Sequence, residues 1–300
     1  MDVAVLPLTR EYYLPLEKIY IQIVGDFSSP EDLNNFRRYI RYRSDLVKIA
    51  IHNSRIIGYI IGNQSSSLKP GIFSLYVVPD FRKRQIGSKL LHKLEREFTM
   101  GKPNLQYLSV RIPESFFDSK VFFLKQGFDV ITTINCYAKD NLSFPYQVNP
   151  KIEIRSATKK DLIDLIKLEK ICFSDYWQKN SDDFKKEIES TTNSLLLALI
   201  EGKLVGYNSN SVSINRMEGI YARIATLPQF RKQHVATSLT VKAFQWFRKQ
   251  KVQKILLTTF ADSEIHNIMY KGWGFKFIEQ ELIMAKKFKG LIPDITNKVS

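Results

Sequence analysis

The chain has 300 residues, 44% of them apolar, enough to bury a sizeable core and better suited to two domains than to one. Cys136 and Cys172 have no partners at disulfide-framework or zinc-site spacing, which excludes a disulfide scaffold and a thiolate metal site. The formal net charge of +15 raises nucleic acid as a partner, yet the basic groups, such as Arg37, Arg38, Arg41 and Arg43 or Lys286, Lys287 and Lys289, are dispersed. No groove-reading helix, RNA-stacking motif or zinc pattern accompanies them, so we read a solvated basic surface, with an anionic ligand as the competing reading.

In chain order, the N-terminus has an early Asp2, no basic leader and no long apolar core, which predicts no signal peptide. No segment approaches the roughly 20 uninterrupted apolar residues of a membrane span, so the expectation is a cytoplasmic protein without a membrane partner. DLVKIAIHNSRIIGYIIGNQ, from Asp45, predicts two strands joined at HNSR, and GIFSLYVV predicts a third. IGSKLLHKLEREF has the apolar spacing of a helix, and LQYLSVRI follows as a strand. The second half repeats this order. NSLLLALIEGKLVGYNSNSVS is a hairpin turning at Glu201 and Gly202, EGIYARIATL a strand, VATSLTVKAFQWF a helix and VQKILLTTF a strand. Each half then reaches an aromatic-glycine junction, FFLKQGF and MYKGWGF. Between the halves, KDNLSFPYQVNPK carries two prolines and no periodicity, so the boundary is expected near Asn149, with domains at 1–145 and 150–300. The pattern is that of a duplicated α/β unit.

One turn is written twice, as VVPDFRKRQIGSKL from Val77 and TLPQFRKQHVATSL from Thr226. A strand, a basic turn and a helix start together present unpaired N–H groups and the positive end of a helix dipole to an anion. The pattern V-x-P-x-F-R-x-x-x-[IV]-[GA]-x-x-L, followed by Y-x-x-x-G-F, resembles the GNAT superfamily of N-acetyltransferases, once per half. That resemblance implies two tandem GNAT folds of α/β (α+β) class. Each would be a mixed, mostly antiparallel twisted sheet flanked by helices, with a splayed central strand pair. It also implies acetyl-CoA as co-substrate and a primary amine as acceptor. The family's [QR]-x-x-G-x-[GA] loop falls on Arg82–Gly87 and Arg231–Ala236, with Gln85 and His234 replacing the middle glycine. A side chain there is expected to be tolerable if the backbone avoids the left-handed region. In the second half Arg231, Lys232, Gln233, His234, Val235, Ala236 and Thr237 would then hold the pyrophosphate, with Ala225, Thr226 and Leu227 along the pantetheine arm.

Direct acyl transfer needs the amine deprotonated, an N–H for the oxyanion and an acid for the leaving thiolate. The resemblance places the acid on the Tyr four residues before the late Gly-Phe, which is Tyr270 in the second half and Phe123 in the first. A phenyl ring has no proton to give, so the second half is expected to be catalytic and the first degenerate. Glu218, sharing a strand face with Thr226 by simple alternation, is the candidate base, and His266 is the second candidate. The plainer readings of these residues are a packed core aromatic, a solvated strand-start glutamate and a surface histidine. Ser263 stands where the family often has Asn, with Asn267 close by.

The run Glu169, Phe173 and Trp177, with Phe184 following, is similar to acetyltransferases that modify ribosomal-protein N-termini, and Tyr176 and Trp177 would wall an acceptor pocket. The acceptor is then a peptide or a small-molecule amine. The alternative to an enzyme is a non-catalytic sensor of acyl-CoA or an anion.

Overall fold

The structure, a computed structural model, describes residues 2–24, 30–64, 70–100, 107–144, 146, 148–175, 177–213 and 217–288. The chain forms two compact units. Among the described residues, one comprises the chain up to Ile131 and again from Leu282, and the other comprises Thr132–Glu281.

The first unit contains β1 (Ala4–Pro7), α1 (Tyr13–Val24), α2 (Pro30–Tyr42), β2 (Val47–His52), β3 (Arg55–Gln64), β4 (Pro70–Val77), α3 (Ile86–Met100), β5 (Tyr107–Pro113) and α4 (Phe117–Lys125). Its sheet runs β1-β2-β3-β4-β5-β12, and β4 and β5 are the parallel pair. Tyr20, Phe36 and Ile40 pack on one face of the sheet, and Leu90, Leu94 and Phe98 of α3 on the other.

The second unit contains β6 (Asp129–Lys139, from Thr132), β7 (Glu153–Ser156), α5 (Leu162–Cys172), α6 (Ser181–Glu189), β8 (Asn193–Ile200), β9 (Lys203–Val212), β10 (Glu218–Thr226), α7 (Val235–Lys249), β11 (Lys254–Phe260), α8 (Glu264–Gly272) and the start of β12 (Lys276–Lys287). Its sheet runs β6-β11-β10-β9-β8-β7, and β10 and β11 are its parallel pair. Strand β8 is apolar almost throughout because both faces are covered. Leu195, Leu197 and Leu199 meet α5 and α6, while Leu196 and Ala198 meet the core under α7. Helix α7 supplies Val235, Leu239, Ala243 and Phe247 to that core at a spacing of about one turn. Asn180 caps α6, accepting from the N–H groups of Asp182 and Asp183, and Asp183 returns the bond. The β8–β9 hairpin turns where expected, with Glu201 and Gly202 at φ 50° and 75°. Gly206 permits close packing of β9, β10 and α7, since a Cβ there would lie 2.6 Å from the Ala225 carbonyl and 3.0 Å from Val235.

The units do not follow the expected 1–145 and 150–300 division. Strand β6, from Thr132 onward, and the later half of β12, from Leu282, neither of which the sequence reading assigned, belong to the unit built by the other half of the sequence. Leu282 and Met284 lie in the core of the first unit and Lys286 pairs with Glu95 there (2.8 Å). Strand β6 pairs antiparallel with β11 from Ile134–Phe260 to Lys139–Ile255. The physical reason is that β6 and β12 are edge partners for β11 and β5, and strand pairing is indifferent to which half of the chain supplies it. Among the described residues no helix is long and apolar enough to cross a membrane.

Candidate active site

Strands β10 and β11 pair only over Glu218–Ile220 with Lys254–Leu256 and then part. The first unit repeats this geometry, with β4 and β5 paired only at Gly71–Ser109 and Ile72–Val110. Strand β10 also bulges between Tyr221 and Arg223, where the β9 register shifts. The side chain of Asn208 donates to the Arg223 carbonyl at the bulge (2.8 Å). Downstream, the Leu227 N–H donates to Val205 on β9 (2.9 Å). N–H directions alternate along a strand, so those of Ile224 and Thr226 point away from β9, toward the opening left by β11.

The bulge corrects one expectation. It adds a residue and reverses the face parity, so Glu218 and Thr226 lie on opposite faces rather than the same one. Glu218 belongs to the paired stretch, roughly 10 Å along the strand from Tyr221 at 3.3 Å per residue. The structure therefore separates Glu218 from the opening.

Beyond β10 the chain turns through Pro228–Phe230 and Arg231 into α7. Lys232 and His234 adopt φ of 61° and 62°, the left-handed region. Lys83 and Gln85 do the same in the first unit, at 59° and 62°. The expectation that a side chain here requires a right-handed backbone is overturned: both turns keep a glycine-like conformation without the glycine, at about 1 kcal/mol or more per residue. What sustains it is bracing. Asn149 donates its side-chain amide to the Gln233 carbonyl (3.1 Å) and its N–H to Ser238 Oγ (3.2 Å). The N–H groups from Lys232 through Thr237 donate to no acceptor among the described residues, and Ser238 is the first to bond back, to the His234 carbonyl (2.9 Å). The His234 ring is exposed and makes no cap bond to the helix. Val235 is buried, whereas Ala236 and Thr237 are half-buried at the rim.

Tyr270 is buried on α8 among Tyr221, Tyr137, Trp273 and Phe275, with ring centroids 5.8–6.5 Å away. Burial pushes its phenol well above the ordinary value, so the proton stays on at neutral pH. Its hydroxyl has no hydrogen-bond partner among the described residues. His266 stacks on it at 6.4 Å and its Nδ1 pairs with Ser263 Oγ (2.7 Å). Burial, then Arg231, lowers the His266 pKa and keeps the ring neutral. Cys172 donates to the Thr226 carbonyl (3.6 Å), and its thiol is pushed up to about 11 by burial. In the first unit the equivalent of Tyr270 is buried Phe123, packed against Phe122 and Phe128.

On the α5 and α6 side lies a buried polar network that the sequence reading did not foresee. Fully buried Glu169 accepts from Arg223 Nη1, the Tyr207 hydroxyl (2.5 Å) and the Lys179 N–H (2.9 Å). Arg223 also donates to the Trp177 carbonyl (2.8 Å), and its guanidinium lies 4.3 Å from the Phe173 ring centre. Lys179 pairs with Glu187 (2.5 Å). Trp177 stands edge-on to Phe260 at the end of β11 (5.3 Å). Tyr176 lies outside the described residues. Glu169, Phe173 and Trp177 thus tie the α5–α6 connection to the bulged strand, and a saturated carboxylate such as Glu169 has no room to act as a base. The available signal was Arg223 itself, a charge in the middle of the strand EGIYARIATL. Among the described residues the first unit shows no such pair: Ser74 follows its bulge, bonded to Tyr59 (3.1 Å).

Two family models match the chain, one described as an acetyltransferase (GNAT) domain over residues 43–130, the other as the acetyltransferase (GNAT) family over 162–275. The chain is a tandem member of the GNAT family. Solved GNAT structures share its fold. A GCN5-related N-acetyltransferase from Sphaerobacter thermophilus superposes with TM-score 0.76 at 14% identity, covering 97% of each chain. A tandem GNAT protein from the clavulanic acid biosynthesis pathway gives 0.73 at 14% identity, covering 97% of this chain and all of its own. For a putative acetyltransferase from Pyrococcus horikoshii the values are 0.63 and 13%, over 98% and 92%. A search of curated proteins found no match. The similarity to ribosomal-protein acetyltransferases is not carried by these comparisons.

Proposed function

We propose that this GNAT protein moves an acetyl group from acetyl-CoA directly to a primary amine, and that the second unit performs the transfer. The observation that carries this reading is Tyr270, a protonated phenol without a partner beside the β10–β11 opening, set against Phe123 in the first unit. The N–H groups from Lys232 to Thr237 would take the pyrophosphate, and the free edge of Ala225, Thr226 and Leu227 the pantetheine arm. The N–H of Ile224 or Thr226 faces the opening where the carbonyl oxygen becomes an oxyanion. The amine nitrogen bonds to the carbonyl carbon, the C–S bond breaks with its pair on sulfur, and sulfur takes the Tyr270 proton. The ammonium proton leaves to water or to neutral His266, the titratable ring stacked on Tyr270. The acceptor, a small molecule or a peptide end, would enter from the α5–α6 side past Trp177 and Phe260. The first unit would keep the framework without the acid.

Calorimetry with acetyl-CoA, then free-thiol release with a panel of amines, tests the reading. Tyr270→Phe should lower kcat by roughly 10²-fold or more with the acetyl-CoA Kd nearly unchanged. Unchanged turnover would remove the acid. Binding without turnover by any amine would favour the sensor instead, and no binding at all would reject both.

A further inference from the structure

We propose that the first half of the sequence takes a direct part in the second unit's chemistry: Asn135 and Tyr137 on β6 are positioning residues that fix α8, and with it Tyr270, through Asn267. This rests on the reading of Tyr270 given above.

Asn267 lies one helical turn before Tyr270 on α8 and is itself buried. Its Oδ1 accepts from Asn135 Nδ2 (2.8 Å) and from the Tyr137 hydroxyl (2.7 Å). Its Nδ2 faces the carbonyls of Phe260 (3.0 Å), Ala261 (3.2 Å) and Ser263 (2.7 Å). One amide therefore gathers the end of β11, the start of α8 and two side chains of β6. The far side of Asn135 is closed as well, since its Oδ1 accepts from Gln280 (2.8 Å). Register aligns the parts: Asn135 pairs with Thr259 and Tyr137 with Leu257, so both side chains stand on one face of the sheet, and the Tyr137 ring lies 6.5 Å from that of Tyr270.

A buried amide with both its oxygen and its nitrogen occupied holds a single geometry, because any shift leaves an unpaired polar group out of water. Tyr270 has no hydrogen bond of its own to orient it, so its placement is inherited from α8. An acid must lie within about 3 Å of the atom it protonates, and support of this kind sets that distance. The contrast with the first unit supports the assignment. Among the described residues Lys120, one turn before Phe123 on α4, makes none of these bonds, so the unit with Phe123 in place of the phenol lacks the device that would aim one. Asn267 faces inward with its amide fully engaged.

The test uses the full chain, acetyl-CoA and the fastest amine of the panel. Tyr137→Phe, which keeps the ring and drops one bond, should lower kcat about 10-fold. Asn267→Ala should approach the loss of Tyr270→Phe, with acetyl-CoA Kd and acceptor KM changed less than about 2-fold. Because Asn267 acts through Tyr270, combining Asn267→Ala with Tyr270→Phe should be little worse than Tyr270→Phe alone. Amide exchange across α8 should quicken in Tyr137→Phe while exchange in α5 stays as in the parent, which reports on placement even if Asn267→Ala folds poorly. Full turnover in Tyr137→Phe together with unchanged α8 exchange overturns the proposal, as do losses that multiply in the double variant. Should Tyr270→Phe itself keep full turnover, the reading of the acid fails and the proposal with it. If Tyr270→Phe is dead and Asn267→Ala fully active, the proposal alone fails.

Discussion

Replacing Glu169 by Gln changes one atom in the second unit and removes a charge that cannot be replaced by water. The Glu169 side chain is 1% exposed and its partner Arg223 16%, so the guanidinium would be left largely dry with no counter-charge. Breaking a buried pair from one side costs about 3–5 kcal/mol. That is a large part of the roughly 5–15 kcal/mol that holds a typical protein folded. For a unit of this size about 2–4 °C is lost per kcal/mol, so the melting temperature should fall by about 6–20 °C. The informative comparison is a triple change, Glu169→Leu with Arg223→Met and Tyr207→Phe, which removes both charges and the hydroxyl that would be orphaned. Replacing all members of a buried ionic cluster by apolar groups is often neutral, so the triple variant should melt above Glu169→Gln. The first unit builds the same bulge with Ser74 and Tyr59, so the fold does not itself require the pair. Thermal unfolding and urea titration of both variants decide the matter. A single variant within about 1 kcal/mol of the parent, or a triple variant less stable than it, would refute the reasoning.

His234→Gly should raise stability by about 0.5–1 kcal/mol, the left-handed cost less the extra freedom of an unfolded glycine. Calorimetric melting checks it, and a lower melting temperature would mean that the His234 backbone is not strained. Asp161, at the start of α5, accepts from both Arg155 nitrogens (2.6 and 2.9 Å) and from Thr158, and Arg155 above all holds its carboxyl far below the usual range. A depressed carboxylate stabilises above its unfolded value, near 3.8, and that stability is lost as pH falls through the folded value. Arg155→Met should therefore flatten the part of the melting-temperature curve below about pH 4, an effect weakened by salt because Arg155 is partly exposed.

The duplicated turn, both hairpins and the helix-strand order were legible because they depend on local signals: glycine and asparagine at turns, apolar spacing, and a basic run before a helix. The phenol and phenyl contrast of Tyr270 and Phe123 was legible for the same reason, as it needs only a count back from the Gly-Phe junction. Glu218 misled because face parity assumes an unbroken ladder, and the bulge at Ala222 appears only in the pairing of β10 with β9. Gln85 and His234 misled in the opposite sense, since nothing near them announces a left-handed backbone, nor that Asn149 will brace the turn at His234. Strands β6 and β12 escaped notice because DVITTINCYAK and KFIEQELIMAKK mix polar residues into both faces. Asn135 and Gln280 serve a buried amide there, a need visible only once the partners are in place.

The exchange of closing strands has a consequence for biogenesis. The first half, on leaving the ribosome, exposes a sheet edge at β5 whose partner, β12, is made only after the whole second repeat. Its core, lacking Leu282 and Met284, must wait until β12 has been made. Completion of the first unit thus waits on translation of the second repeat, and a product stalled before β12 would present an unsealed edge to its neighbours.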